Sequence, residues 1–159
     1  MRKRLITPVR QTESSPDRDW LDLERAAAVE VSSEDPAHPI EGALVRHDHR
    51  GWRASKGGLQ TVRLIFDQPQ DLQRIELVFE EMAAERTQEF VLRWSADNNG
   101  SFQEIVRQQW NFSPPATTRE IENFAINISG ATLLELIINP NIRDGRAKAS
   151  LTSLRLGVT

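Results

Sequence analysis

The 159-residue chain contains no cysteine, which excludes disulfides, thiol catalysis and cysteine-ligated zinc together. No run approaches the roughly 18 consecutive apolar residues that a membrane-spanning helix needs, so no span is expected. The opening Met1-Arg2-Lys3-Arg4-Leu5-Ile6-Thr7-Pro8 is basic. It lacks the apolar stretch of about 7–15 residues that would make it a secretion signal, and the expectation is a cytoplasmic protein. Lysine is scarce: arginine outnumbers it seventeen to three, and the arginines are spread along the chain rather than clustered. With a net charge of −3, no global field draws the chain to nucleic acid. Three histidines leave little material for a metal site. No Gly-x-Ser-x-Gly elbow, His-Glu-x-x-His pair or glycine-rich phosphate loop occurs.

What is present is the composition of a soluble globular domain, 38% hydrophobic and 27% charged. Residues 1–18 are polar and carry Pro8 and Pro16, which reads as a tail or an edge-wrapping arm before a single domain at 19–159. Trp20, Leu21, Leu23 and Ala26–Ala28 suit a short N-terminal helix with Asp19 as its cap. A strand at Val29–Val31 follows, then a long irregular segment, residues 34–58, anchored by Trp52. Strands come next in quick succession. Val62, Leu64 and Phe66 alternate, as do Ile75, Leu77 and Phe79, and Gln68-Pro69 separates the two runs. Residues 80–88 read as an acidic connection. Phe90, Leu92 and Trp94 then alternate up to the turn-forming Asp97-Asn98-Asn99-Gly100, and Phe102 and Ile105 start the return strand. A loop at residues 109–117, a strand through Ile121–Ile128, a turn at Gly130, an apolar strand at 133–139 and a closing strand at 149–156 complete the pattern. Eight or so short strands predict an all-β, antiparallel sandwich.

Several of these pieces resemble the coagulation factor type C, or discoidin, family in their order along the chain. They are Trp52-Arg53-Ala54-Ser55, Val62 to Pro69, Leu72-Gln73-Arg74-Ile75-Glu76-Leu77, Leu92-Arg93-Trp94-Ser95 with its Asp-x-x-Gly turn, and Ala149 to Leu156. The likeness spans about residues 27–157. It implies a single jelly-roll antiparallel β-sandwich of the galactose-binding type, in a family whose members mostly bind glycans, lipid head groups or other proteins. Many members also hold calcium through an Asp-Gly pair and a glutamate. Here the corresponding places carry Val45, Arg46 and Ser153. An arginine would repel a cation, so the resemblance implies no calcium, and no cofactor is expected.

Two segments are candidates for ligand contact. The first offers Arg46, His47, His49, Arg50 and Arg53, donors suited to a sugar or an acidic group. His47-Asp48-His49 also resembles a metal cluster, but adjacent loop side chains alternate in direction, and no metal is predicted. The second is the loop carrying Trp110 and Phe112 before Ser113-Pro114-Pro115, either as an apolar platform or folded back onto the sandwich. Arg143, in the turn before the closing strand, is a third contributor. Glu80, Glu81, Glu85 and Glu89 could in principle pair for glycoside hydrolysis, but their spacing reads more simply as a solvated surface. The expectation is a non-catalytic recognition module that binds carbohydrate through loops at one end. The alternative is a protein-interaction domain, with self-association left open, and an unrecognised hydrolase is the least favoured reading.

Overall fold

In the computed structural model, the backbone is described for residues 10–11, 20–97 and 101–158. The elements run β1 (Arg10–Gln11), α1 (Leu23–Ala26), β2 (Ala27–Val31), α2 (Glu41–Leu44), β3 (Trp52–Gly57), β4 (Gln60–Glu80), β5 (Arg86–Ser95), β6 (Gln103–Phe112), β7 (Arg119–Asn139), β8 (Lys148–Leu151) and β9 (Ser153–Gly157). The all-β expectation holds, and the neighbouring strand pairs are antiparallel throughout.

The frame is a long ribbon of β4 against β7. It is regular from Gln60↔Ile138 to Ile65↔Leu133 and again from Arg74↔Ala125 to Glu80↔Arg119, with the register shifting between. The shifts fall where Pro69 cannot donate to a ladder and where Gly130 takes a φ of 72°. The Gly130 amide donates to Asp71 Oδ1 at 2.9 Å across this corner. The ribbon therefore folds over, and each half heads a different layer. The first layer continues through β2 on one side and through β5 and β6 on the other. The second layer adds β9 to the far half of β4 and β1 to the near half of β7. Phe79 of the second layer meets Phe90 of the first with ring centroids 5.3 Å apart, which marks the interface between the layers. Leu64, Leu72, Ile75, Leu77, Leu92, Leu134, Leu136 and Ile138 fill the rest of that interface almost completely buried.

Three sequence readings need correction. The runs on either side of Pro69, and those on either side of Gly130, are halves of single bent strands rather than separate ones. The closing strand is two: β8 pairs with β3, and β9 pairs with β4. The N-terminal helix is one turn, capped in position by Asp22 without a side-chain hydrogen bond, while Asp19 lies outside the described residues. In the polar segment read as a tail or an arm, Arg10 and Gln11 pair with Ala125 and Phe124 along the edge of the second layer. The rest of that tail, and residues 98–100 of the expected hairpin turn, lie outside the described residues.

Candidate functional site

On β4 the inner face is carried by Ile75, Leu77 and Phe79, so Glu76 and Val78 point away from the core. Both are nevertheless buried, which requires that something cover the outer face of the second layer. Two segments do. Residues 20–24 are tied down by the Leu21 amide, which donates to the Leu156 carbonyl at 2.7 Å, and by a bridge from Trp20 to Gly157. The Arg74 guanidinium lies 4.5 Å over the Trp20 ring. The second cover is α2 with residues 45–49. Between these covers and the sheet lies a cleft of about 540 Å³, within the size range of small-ligand sites. Its floor is Glu76, Val78, Ser153 and Arg155, with Arg119 at the edge and Arg46, His47 and His49 on the wall.

The wall is built by local hydrogen bonds. The Val45 amide donates to the Glu41 carbonyl at 2.9 Å, and the Asp48 amide to the Val45 carbonyl at 3.1 Å. The Gly51 amide closes the segment onto the Gly42 carbonyl at 3.0 Å. A Cβ on Gly42 would fall onto the Gly51 carbonyl oxygen, so this closure needs glycine. Gly42→Ala is expected to lower stability by about 1–3 kcal/mol, the scale of overpacking at a rigid contact, and to weaken ligand binding at the cleft. Thermal melts together with titration of the purified variant check this; a variant as stable as the parent would mean that the segment can yield.

Charge in the wall is partly spent internally. Arg50 turns back on Asp48, with Nε 2.9 Å from Oδ1 and its backbone amide 3.1 Å from the same oxygen. These bonds hold the Asp48 carboxyl well below the usual range, at about 2. Arg50 is thus a brace for the loop, and it does not line the cleft. Arg119 is exposed at the cleft edge, and no ion-pair partner is recorded for it among the described residues.

Of the residues singled out from sequence, Arg46, His47 and His49 come together here. The others do not. Arg53 lies on β3 near Arg86, whose pKa is pushed down first by burial and only last by the Arg53 charge. Trp110 and Phe112 belong to the end of β6, not to a loop, and both side chains turn inward. Phe112 is 0% exposed beneath the Arg86 guanidinium, 4.8 Å from its ring, so it cannot serve as a surface platform. The extra length of β6 comes from its register with β5, Arg86↔Phe112 through Gln88↔Trp110. Arg143 is exposed in the turn after β7, where its amide donates to Asn141 Oδ1 at 3.1 Å. The two candidate loops therefore do not make one site. Val45, Arg46 and Ser153, the places where the resembled family has calcium ligands, do meet at this cleft. Among the described residues, no group of three or more His, Cys, Asp or Glu is arranged to hold a metal ion.

Sequence reasoning missed Trp20, Glu76, Arg119 and Arg155 as parts of the site. The one available signal was Val78, an apolar residue on the face that alternation assigns to solvent. It indicated a covered outer face without saying what covers it.

No protein-family model matches the chain. No curated protein matches it by sequence either. Solved structures do match it in shape. A family 32 carbohydrate-binding module of Clostridium perfringens NanJ, in complex with galactose, superposes with a TM-score of 0.65 at 12% identity, covering 87% of this chain and 97% of that one. A pectin-binding carbohydrate-binding module gives a TM-score of 0.60 at 17% identity, over 83% and 90% of the two chains. XRCC1, in its reduced form bound to the DNA polymerase β catalytic domain, gives 0.59 at 15% identity, over 85% and 96%. Matches of this extent, on strands paired as described above, establish that the chain has the discoidin-like, galactose-binding type of jelly-roll fold.

Proposed function

We propose that this chain is a non-catalytic carbohydrate-binding module and that the outer-face cleft receives the sugar. The observation that carries the reading is the cleft itself: about 540 Å³, with hydrogen-bonding groups on its edge and wall beside the apolar Val78 and Leu154. Sugars present hydroxyls and C–H faces together, and a site of a few polar groups on an apolar base suits both. The likeness to modules solved with galactose, and to one that binds pectin, supports the same reading.

A glycan-array screen of the purified chain identifies the ligand, and calorimetric titration then measures it. Arg119→Ala and His49→Ala are each expected to weaken binding about tenfold, the scale of one lost hydrogen bond from a polar or charged donor. Trp110→Ala should leave affinity unchanged. If Trp110→Ala abolished binding while the Arg119 and His49 variants bound normally, the sugar would sit elsewhere.

A protein-interaction role has one specific observation in its favour. Leu59, Met82 and Ile142 are 63%, 70% and 42% exposed, on turns at one end of the sandwich. The Leu59 and Ile142 turns are linked by the Gly58 amide, which donates to the Ala147 carbonyl, and the Ile142 amide donates to the Thr87 carbonyl at the start of β5, the strand that follows the Met82 turn. Exposed apolar groups gathered this way suit a protein partner more than a sugar. An empty glycan screen with a partner retained through that end would favour it.

A further inference from the structure

A run of buried polar side chains lies between the layers along the edge where β6 faces the near half of β7. Glu120 and Glu122 of β7 point inward there, together with Arg86 and Gln88 of β5 and Gln108 and Trp110 of β6. Glu120 and Gln88 are 0% exposed, and Glu122 is 3%. Gln88 Nε2 donates to Glu120 Oε1 at 3.4 Å, and Gln108 Nε2 donates to Glu122 Oε1 at 2.6 Å, so each carboxyl is held from the opposite layer. Glu122 stands two residues from Glu120 on the same inward face, and its carboxyl bears on that of Glu120. Two neighbouring carboxylates at this depth repel each other, which favours a proton on one of them.

Among the described residues, the cation that bears on Glu120 is Arg86, and it is engaged elsewhere as well. From β5, the Arg86 guanidinium is engaged by Glu81 Oε1 at 2.7 Å, by Gln88 Oε1 at 3.0 Å and by the Pro140 carbonyl at 2.8 Å. From β3, Arg53 is close enough to bear on Arg86. From β4, the inward residues Leu77 and Phe79 carry no charge. Among the described residues, Glu120 Oε2 and Trp110 Nε1 are buried without a hydrogen-bond partner. The layer is short of partners even with one proton in place.

We propose that Glu120 keeps a proton in the folded protein, beside the Glu122 carboxyl, and that this proton clamps β7 against β5 and β6, so that losing it loosens this edge of the sandwich. Burial first, and the neighbouring Glu122 second, push the Glu120 pKa from 4.5 up to about 8. A folded-state value above the unfolded one means that the folded protein binds the extra proton. The resulting stability is complete below the unfolded value, declines through the interval between the two, and is absent above the folded one. The same strand carries Arg119 to the cleft edge, so the clamp also steadies a wall of the binding site.

The test compares urea midpoints and backbone hydrogen exchange at pH 6 and pH 9, for the parent chain and for Glu120→Gln. Glutamine keeps the shape and supplies a permanent donor without a charge to gain. The parent should lose midpoint on going to pH 9, with exchange in β6 and residues 119–124 rising at least tenfold over the rest of the first layer. Glu120→Gln should flatten both changes. A parent midpoint equal at the two pH values overturns the proposal, as does a Glu120→Gln variant that declines as steeply as the parent. If the variant fails to fold, carbon-detected titration of the Glu120 carboxyl in the parent chain decides: a value near 8 supports the clamp, and one below 6 refutes it.

Discussion

Arg86→Ala is expected to destabilise the protein by about 3–5 kcal/mol, the cost of breaking a buried ion pair from one side. Arg86 is only 4% exposed and serves several groups at once. Its Nε reaches Glu81 at 2.7 Å, one terminal nitrogen reaches both Gln88 and the Pro140 carbonyl, and the guanidinium plane covers Phe112. Alanine would leave an acceptor on each of these groups without its donor, and a void above Phe112. The side chain also joins the acidic connection after β4, the start of β5 and the turn after β7, so the loss would spread over one end of the sandwich. Arg86→Lys should recover little, because one ammonium cannot reproduce a planar fork aimed at separate acceptors. Urea unfolding monitored by tryptophan fluorescence gives the number. A cost under about 1 kcal/mol for Arg86→Ala would show that solvent reaches these acceptors and that the network is ornamental to stability.

Trp52→Ala should cost a similar amount, about 3–5 kcal/mol, for a different reason. Its ring is 1% exposed and sits where β3 pairs with β8 at Leu151, and its Nε1 donates to the Ser33 carbonyl at 3.0 Å. The indole therefore holds the irregular stretch after β2 against the small two-stranded sheet, and through it the segment that forms the cleft wall. Trp52→Phe keeps most of the volume and loses the hydrogen bond, and about 1 kcal/mol is expected from that alone. Trp94→Ala makes a useful comparison. Its face was read correctly from alternation with Phe90 and Leu92, but it is only partly buried at the rim of the core, so its loss should be smaller than that of Trp52. Melting of the three variants in one buffer settles the order; Trp94→Ala as costly as Trp52→Ala would mean that the rim packs as tightly as the centre.

Much of the sandwich was legible because alternation is a local signal. A strand half-buried in a two-layer sandwich must put every second side chain into the core, and Val62-Leu64-Phe66, Ile75-Leu77-Phe79 and Phe90-Leu92 do so wherever they occur. The succession of such runs predicted an antiparallel sandwich, and the resemblance to the discoidin family implied the jelly roll. The absence of cysteine excluded disulfides and thiol chemistry without any knowledge of the fold, since those need an atom that the chain does not contain.

Composition and periodicity did not reveal which segment covers which face. Trp110 and Phe112 stand before two prolines and look like loop residues, yet strand pairing with Gln88 and Arg86 carries them into the interior. Arg50 and His49 are one residue apart in sequence; Asp48 holds the first away from the cleft, and the second faces into it. Glu120 and Glu122 fall on the same face as Phe124 and Ile126, but alternation does not say what they meet there. They meet Gln88 and Gln108 because β5 and β6 lie across from them, which the pairing of β5 with the far half of β7 decides. The cleft has the same origin: Trp20, Arg46, Glu76, Arg119 and Arg155 come from separate parts of the chain and share no local pattern. Alternation says which side of a strand is buried, because it follows from the geometry of one backbone. What lies against that side depends on long-range pairing, and only the folded chain determines it.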